Sequence, residues 1–359
     1  MYKAIGLMTG TSFDGIDLAY LQSDGVNQIK QLKHCYLLYS ASFRQQIRHI
    51  MQEKVYLNEI KDLEYSLTKI HADFVLDFLE NNKISSSNID LLGFHGQTIY
   101  HNAKKYLTWQ LGNPQLLATL TKIKVIGDFR SKDLAHQGQG APLVPIYHYH
   151  LFCNINSPFI VLNIGGIANL TYCDYQKNQL LACDFCFGNA PFDDFMHHHF
   201  QQNFDINGIF TQSGKIDFAL CQKISDEPIF SSQQSFHRQD FDNILAKVQQ
   251  NLAKPDILAN YATILALVLA NKLKTLPQQP KSLILCGGGR KNLGIVSAIK
   301  KQLSYLSIYN SEDLGFNGDS IEAEAFAYLA IRSYLNLPIS FPNTTQVPQE
   351  ISGGCTFLP

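Results

Sequence analysis

The stretch "GLMTGTSFDGID", Gly6 to Asp17, crowds glycines, hydroxyls and two carboxylates into one short segment. A hairpin turning through Gly10, Thr11, Ser12, Phe13, Asp14, Gly15, Ile16 and Asp17 can aim several backbone N–H groups and hydroxyls at one point. Glycine there lets a large anion approach the backbone. Phosphate is the anion that suits such a turn. Asp14 and Asp17 would repel it directly, but Mg2+ held by both through waters removes the conflict of sign. The plainer reading of the same residues is a glycine-rich hairpin with a capping aspartate. No Gly-Lys-Ser/Thr follows, so this is not a Walker A loop. Two further glycine turns lie downstream. "NIGGIANL" contains Gly165 and Gly166, and "CGGGRKN" contains Gly287, Gly288 and Gly289. The latter falls between a strand and a helix. Its bare backbone suits an adenine or ribose face, and the helix start favours anions. Three strand-linked glycine turns in two halves of a chain point to a nucleotide held between two domains. The spacing is not that of a GxGxxG dinucleotide fold.

The elements that must position these turns follow from hydrophobic periodicity. "YKAIGLM" and "GIDLAYLQS" predict a pair of strands around the first turn. "PFIVLNI" and "IANLTY" repeat that outline about 160 residues later, an internally duplicated architecture. "YSLTKIHADFVLDFLENN" has helical spacing. "IDLLGFHGQTIYH" predicts a buried strand leaving into a glycine turn, "LTWQLGN" a short strand, and "KVIGDFR" a strand ending in charge. Asn113 and Pro114 predict a capped helix start. "KSLILCGGGRKNLGIVSAIKKQL" predicts strand, turn and helix, and "GDSIEAEAFAYLAIRSYLN" a helix. The glycine- and proline-bearing run "SKDLAHQGQGAPLVPIYHYHLF" predicts the crossing between domains. The expected boundaries are 1–130 and 131–340, with 341–359 a tail packing back on the first domain.

At 359 residues the chain exceeds one ordinary core, so two domains are expected. Its formal net charge of −1 gives no reason to expect nucleic acid or an anionic membrane as a partner. Eight cysteines are scattered without a framework, and no secretory segment is recognised, which predicts reduced thiols in a cytoplasmic protein. "YATILALVLANKL" is apolar but short, predicting a buried helix and no membrane span.

Taken together, "GLMTGTSFDGID", "GFHGQTIYH", "LGNPQLLA", "GDFRSKDLAHQGQGAPLVP", "LNIGGIANLT", "LCGGGRKN" and "EAEAFAYLA" resemble the anhydro-N-acetylmuramic acid kinase family, in the expected order over nearly the whole chain. The resemblance implies a two-domain actin-like (ribonuclease H-like, duplicated) α/β kinase fold, with a mixed sheet flanked by helices in each domain. It implies ATP and Mg2+ as cofactors. The implied reaction converts 1,6-anhydro-N-acetylmuramic acid, ATP and water to N-acetylmuramic acid 6-phosphate and ADP in peptidoglycan recycling, and a homodimer is implied with it. The family's nucleotide-binding stretch maps onto Gly10 to Asp17. Gly165 and Gly166 close on phosphate, and Gly287 to Gly289 lie near the nucleoside.

The implied chemistry is unusual for a kinase, because O6 of the anhydro sugar is bonded to C1 and is no free hydroxyl. Water attacks C1 as O6 departs, and O6 takes the γ-phosphoryl group. One carboxylate suffices to deprotonate the water, as in an inverting glycosidase. The family pattern Asp-Thr-Gly-Pro-Gly-Asn places that base at Asp184, with Asn189 on the substrate. Asp193 and Asp194 are the alternatives that the residues alone leave open. The chain departs from the pattern at Phe185, Cys186 and Phe187. It departs again in "SSQQSFHRQDF", where only Ser235 and Arg238 match. Gln97 and Thr98 match a substrate-side turn. His95 in that turn reads as a proton carrier or as a buried, hydrogen-bonded histidine. Arg130 reads either as a partner for the lactyl carboxylate or as half of an ion pair with Asp133. A hydroxyl-directed sugar kinase and an idle nucleotide-binding sensor are the alternative functions.

Two patterns are set aside. Cys183 and Cys186 have CxxC spacing without a thioredoxin-like start. His197 to His199 are adjacent on one helix and diverge, so they do not make a metal site.

Overall fold

The computed structural model describes residues 1–10, 12–52, 54–231, 236, 238–250 and 252–359. In chain order the strands are β1 (Tyr2–Met8), β2 (Gly15–Ser23), β3 (Ile29–Leu38), β4 (Leu91–Phe94), β5 (Gln97–Asn102), β6 (Leu107–Leu111) and β7 (Val125–Gly127). There follow β8 (Phe159–Ile164), β9 (Ile167–Asp174), β10 (Gln179–Phe187), β11 (Ser282–Cys286), β12 (Ser307–Asn310) and β13 (Cys355–Phe357). The chain divides into two compact units, residues 1–153 with 320–359, and residues 154–319.

The first unit holds a sheet of order β13-β7-β4-β1-β2-β3. Here β1, β2 and β3 form an antiparallel meander, and β4 and β7 continue from β1 in parallel. The second unit's sheet has the order β10-β9-β8-β11-β12. There β8, β9 and β10 are the antiparallel meander, and β11 and β12 the parallel extension. Apart from the added edge strand β13, one strand order and one pattern of directions are used twice, as in the duplicated actin-like fold. The central strands β8 and β11 are buried along their whole length, which is why they read as unbroken apolar runs.

Helices pack on each sheet where the sequence removes side chains. Ile321–Tyr334 lies against β1, β2 and β4. A side chain at Gly6 would collide with the carbonyl of Ala323, and one at Gly93 with that of Phe326. Gly6 therefore serves helix–sheet contact. In the second unit the helix Lys254–Leu273 is apolar enough by length and composition to cross a membrane, but most of it is buried in that unit's core, among Leu162, Phe187 and Leu285.

The expected boundaries at 130 and 340 differ from these units. The run taken for a crossing forms the helices Ser131–Ala135 and Pro145–Leu151, and it buries Leu134, Leu143, Ile146 and Tyr147 in the first unit. The Tyr147 hydroxyl donates to Glu324 Oε2 at 2.7 Å, joining this run to the helix on the sheet. Glycine and proline signalled turns here correctly, but turns alone do not distinguish a linker from a folded loop. At the other end, β13 pairs antiparallel with β7.

The first unit also buries neutral histidines. Burial holds His71 down to about 4 and His148 down to about 3. Below the ordinary value of about 6.5 the unfolded chain takes up protons that the folded chain refuses, so stability is intact above about pH 6.5 and erodes as pH falls toward those lower values. At about pH 5 the loss is roughly 2 kcal/mol for each histidine. Urea unfolding midpoints should therefore fall steeply between pH 7 and pH 5. A flat midpoint over that interval would contradict neutral burial.

Candidate active site

In the first unit, β1 delivers Thr9 and Gly10 to the turn, and Met8 pairs with Asp17 to start the return strand. Three observations fix this turn. Thr9 Oγ1 donates to the Gly96 carbonyl at 2.8 Å, Gln97 Nε2 donates to the Gly10 carbonyl at 3.1 Å, and Phe13 N donates back to Gly10 at 3.3 Å. Phe13 adopts φ 61°, in the left-handed region. The "MTG" and "HGQT" stretches, nearly ninety residues apart in sequence, are thus one structure. Gln97 is fully buried and its Nε2 tethers the turn through Gly10, while its Oε1 has no hydrogen-bond partner among the described residues. Thr98 is half-buried on β5, where its Oγ1 accepts from Gln110 Nε2 at 3.3 Å.

The glycines of this turn have different jobs. A side chain at Gly10 would meet only Ser12 Oγ, at the ordinary contact distance of 3.6 Å. Gly15 is closed by the Leu37 carbonyl and the Tyr36 ring, so its missing side chain admits β3. Ser12 and Asp14 are exposed, Asp17 is half-buried, Ile16 is in the core, and Thr11 lies outside the described residues. Asp14 sits 3.8 Å from Arg44. Among the described residues no group of three or more His, Cys, Asp or Glu side chains could cage a cation. Asp14 in the turn, Asp17 on β2 and the Ser12 hydroxyl instead fit Mg2+ that keeps most of its waters.

Arg130 is placed beside this turn by β7 and the helix that follows. Its Nε and Nη2 approach His95 Nε2 at 3.2 and 2.8 Å, and Nη1 donates to the Gly140 carbonyl at 2.6 Å. Asp133 accepts from Gly140 N at 2.6 Å, so Gly140 links the two residues. Burial, then the Arg130 cation, hold His95 well below the ordinary histidine range. A ring nitrogen engaged in this way, on so weak a base, is a poor proton carrier at neutral pH.

The second unit gathers the remaining residues. Asp184 lies near the end of β10, opposite Asn169, and a bulge follows before Cys186. Its Oδ2 accepts from Phe236 N at 3.1 Å. The departing residues do not derail the strand. Phe185, Cys186 and Phe187 are buried in the core, with Phe187 edge-on to Phe241 and Tyr261. Gly188 N then donates to the Gly166 carbonyl at 3.1 Å, and Asn189 N to the Gly165 carbonyl at 2.7 Å. A side chain at Gly188 would collide with Gly165. The Asp184 loop and the second glycine turn are therefore clamped together. Asn189 Nδ2 donates to Asp193 Oδ2 at 2.7 Å, and Asp194 lies 3.6 Å from Arg238. Asp193 thus holds Asn189, and the largely exposed Asp194 lies near Arg238.

Arg238 approaches Gly166 as well as Asp194, so a cation stands over the phosphate-type turn. Sequence reading named it, with Ser235, as a match in an otherwise altered segment but gave it no role. Ser232 to Ser235 and His237 lie outside the described residues. Arg290 was missed. Its guanidinium is almost fully buried and holds Glu312 at 3.0 and 3.1 Å from Nε, Asp319 at 2.8 Å, and the Gly287 carbonyl at 2.9 Å. The signal was its place directly after three glycines. Burial alone raises the Glu312 carboxyl, and the bonds from Arg290 more than reverse this, holding it at about 2.

The triple-glycine turn divides like the first. Gly287, at φ +75°, is closed by Asn163 and Ile164, and Gly289 by Ile164, while Gly288 faces open space. Gly287→Ala should cost about 2 kcal/mol through backbone strain and collision. Gly288→Ala should leave stability within about 0.5 kcal/mol and act, if at all, on the KM for nucleotide. Thermal unfolding and steady-state kinetics of the pair check this, and equal destabilisation would contradict it. A separate cavity of about 570 Å3, lined in part by Thr211, Gly294, Ser297 and Lys301, contains none of the assigned residues.

A sequence model of the anhydro-N-acetylmuramic acid kinase family matches residues 2–359. The chain is 38% identical to the anhydro-N-acetylmuramic acid kinase of Zymomonas mobilis subsp. mobilis over 98% of each chain. It is 37% identical to that of Bradyrhizobium diazoefficiens over 100% of each. The chain belongs to the anhydro-N-acetylmuramic acid kinase family. Among solved structures it is similar to the activator of the 2-hydroxyisocaproyl-CoA dehydratase from Clostridium difficile, at 13% identity and a TM-score of 0.46, over 92% of this chain and 94% of that one.

An anhydro-N-acetylmuramic acid kinase is an ATP-dependent enzyme acting on a small sugar of cell-wall recycling, and neither alternative function is favoured. For such a kinase the CxxC reading lapses. None of the eight cysteines forms a disulfide, and burial pushes Cys183 and Cys186 up, away from reactivity.

Proposed function

We propose that the chain opens 1,6-anhydro-N-acetylmuramic acid with water and phosphorylates O6 in the same turnover, with Asp184 as the base. Asp184 takes a proton from water as the water oxygen bonds to C1. The C1–O6 bond breaks, and O6 receives the γ-phosphoryl group of ATP as the bond to the β-phosphate oxygen breaks. No separate acid is needed, because the phosphoryl group takes the place of a proton on O6.

One observation carries this reading. The Asp184 loop is hydrogen-bonded through Gly188 and Asn189 to the carbonyls of Gly166 and Gly165. Base and phosphate-holding turn are thus fixed on one piece of the second unit, and positioning of this kind supplies much of the rate in phosphoryl transfer. Arg238 adds positive charge at the same turn. Within the first unit Gly10 and Ser12 are assigned to phosphate and Thr98 and Arg130 to the sugar; within the second, Gly288 is assigned to the nucleoside and Asn189 to the sugar. Asp14 and Asp17 would hold Mg2+ through waters; when bound, it offsets phosphate charge. The enzyme works in the cytoplasm as a homodimer, which light scattering of the purified protein tests.

The deciding experiment uses ¹⁸O-labelled water. Label at C1 of the product is expected. Unlabelled product would mean transfer to a pre-existing hydroxyl and would end the coupled mechanism.

A further inference from the structure

We propose that His95 is a positioning residue for Arg130, orienting its guanidinium so that a pair of N–H donors meets the lactyl carboxylate of the substrate. The inference rests on the assignment of Arg130 to that carboxylate and deepens it.

Arg130 makes three hydrogen bonds. Two run from Nε and Nη2 to the same His95 nitrogen, at 3.2 and 2.8 Å, and one from Nη1 to the Gly140 carbonyl at 2.6 Å. A donor is left on each terminal nitrogen, the end-on fork that a carboxylate accepts. The partners matter as much as the count. A carboxylate in the place of His95 would orient the cation but also neutralise it. An imidazole lone pair and a backbone carbonyl orient it without themselves cancelling its charge, on which the nearby carboxylates of Glu322 and Asp133 also act.

For His95 to accept at Nε2, its proton must sit on Nδ1, and a second proton would set two cations face to face. The surroundings enforce the neutral form. His95 is 5% exposed, its backbone N donates to Leu7 at 3.2 Å, and its ring lies 4.6 Å from that of Phe326. The other anchor is equally fixed. Gly140 is held by Asp133, itself 1% exposed. Both clamps on Arg130 are therefore buried and built from elements of the first unit.

The test compares two ligands on the full-length protein by titration calorimetry without ATP: 1,6-anhydro-N-acetylmuramic acid and its lactyl methyl ester, which carries no charge. Wild type should prefer the acid by about tenfold or more. His95→Phe keeps a ring against Phe326 but has no acceptor, and its preference should fall to near unity with ester affinity unchanged. His95→Gln places an amide oxygen where Nε2 stood and should keep most of the preference. His95→Leu replaces the Phe variant if that one does not fold. An unchanged preference in the acceptor-less variant overturns the inference, as does an equal loss for acid and ester, which marks a structural role. Arg130→Gln separates the two ideas. If it abolishes the preference while His95→Phe does not, only the role of His95 falls. If it leaves the preference intact, the assignment of Arg130 falls as well.

Discussion

Asp184→Asn should lower turnover of the anhydro sugar by about a thousandfold, within the usual range for loss of a general base. The amide is nearly isosteric and still presents an oxygen to Phe236 N, so the loop keeps its anchor. Melting temperature and ATP affinity should stay close to wild type. ADP release with saturating sugar is the measurement. Asp193→Asn and Asp194→Asn should cost far less, because those carboxylates serve Asn189 and Arg238. Wild-type turnover in the Asp184 variant would transfer the role elsewhere.

Arg290→Met should destabilise the second unit by about 2 kcal/mol and raise the KM for ATP several-fold. Breaking a buried pair can cost roughly 3–5 kcal/mol, but Glu312 and Asp319 reach solvent once the cation is gone, which lowers the figure. The kinetic effect follows from the bond between Arg290 and Gly287, which holds the triple-glycine turn. The pH dependence separates this cluster from the buried histidines. Glu312 is depressed in the fold, so its contribution is complete above the ordinary carboxylate value of about 4.3 and disappears as pH falls toward about 2. The histidine contribution is lost in a higher window, from about 6.5 downward. Wild type and the Arg290 variant should therefore show parallel stability curves from pH 7 to pH 5 and converge only under stronger acid. Curves that converge near neutrality would disprove the assignment.

Much of this protein is legible without coordinates. The paired strands around the first two glycine turns, the Asn113 cap and the helix Ile321–Tyr334 all follow from local rules, because a period of two or three and a half residues is a property of the chain itself. The ordered family motifs likewise marked Asp184 and the three turns. Tertiary structure decided what each glycine is for. Gly288 is open and Gly10 meets only the Ser12 hydroxyl at contact distance, whereas Gly15 and Gly287 are filled by Leu37 and Asn163, and no local pattern distinguishes a glycine with free space from one that admits a neighbouring strand. It decided that 131–153 belongs to the first unit, since burial of Tyr147 depends on a helix that begins at residue 321. It also brought His95 to Arg130 and Arg290 to Glu312. Pairings between side chains distant in sequence are fixed by how the sheets and their helices pack, and a one-dimensional pattern does not contain them.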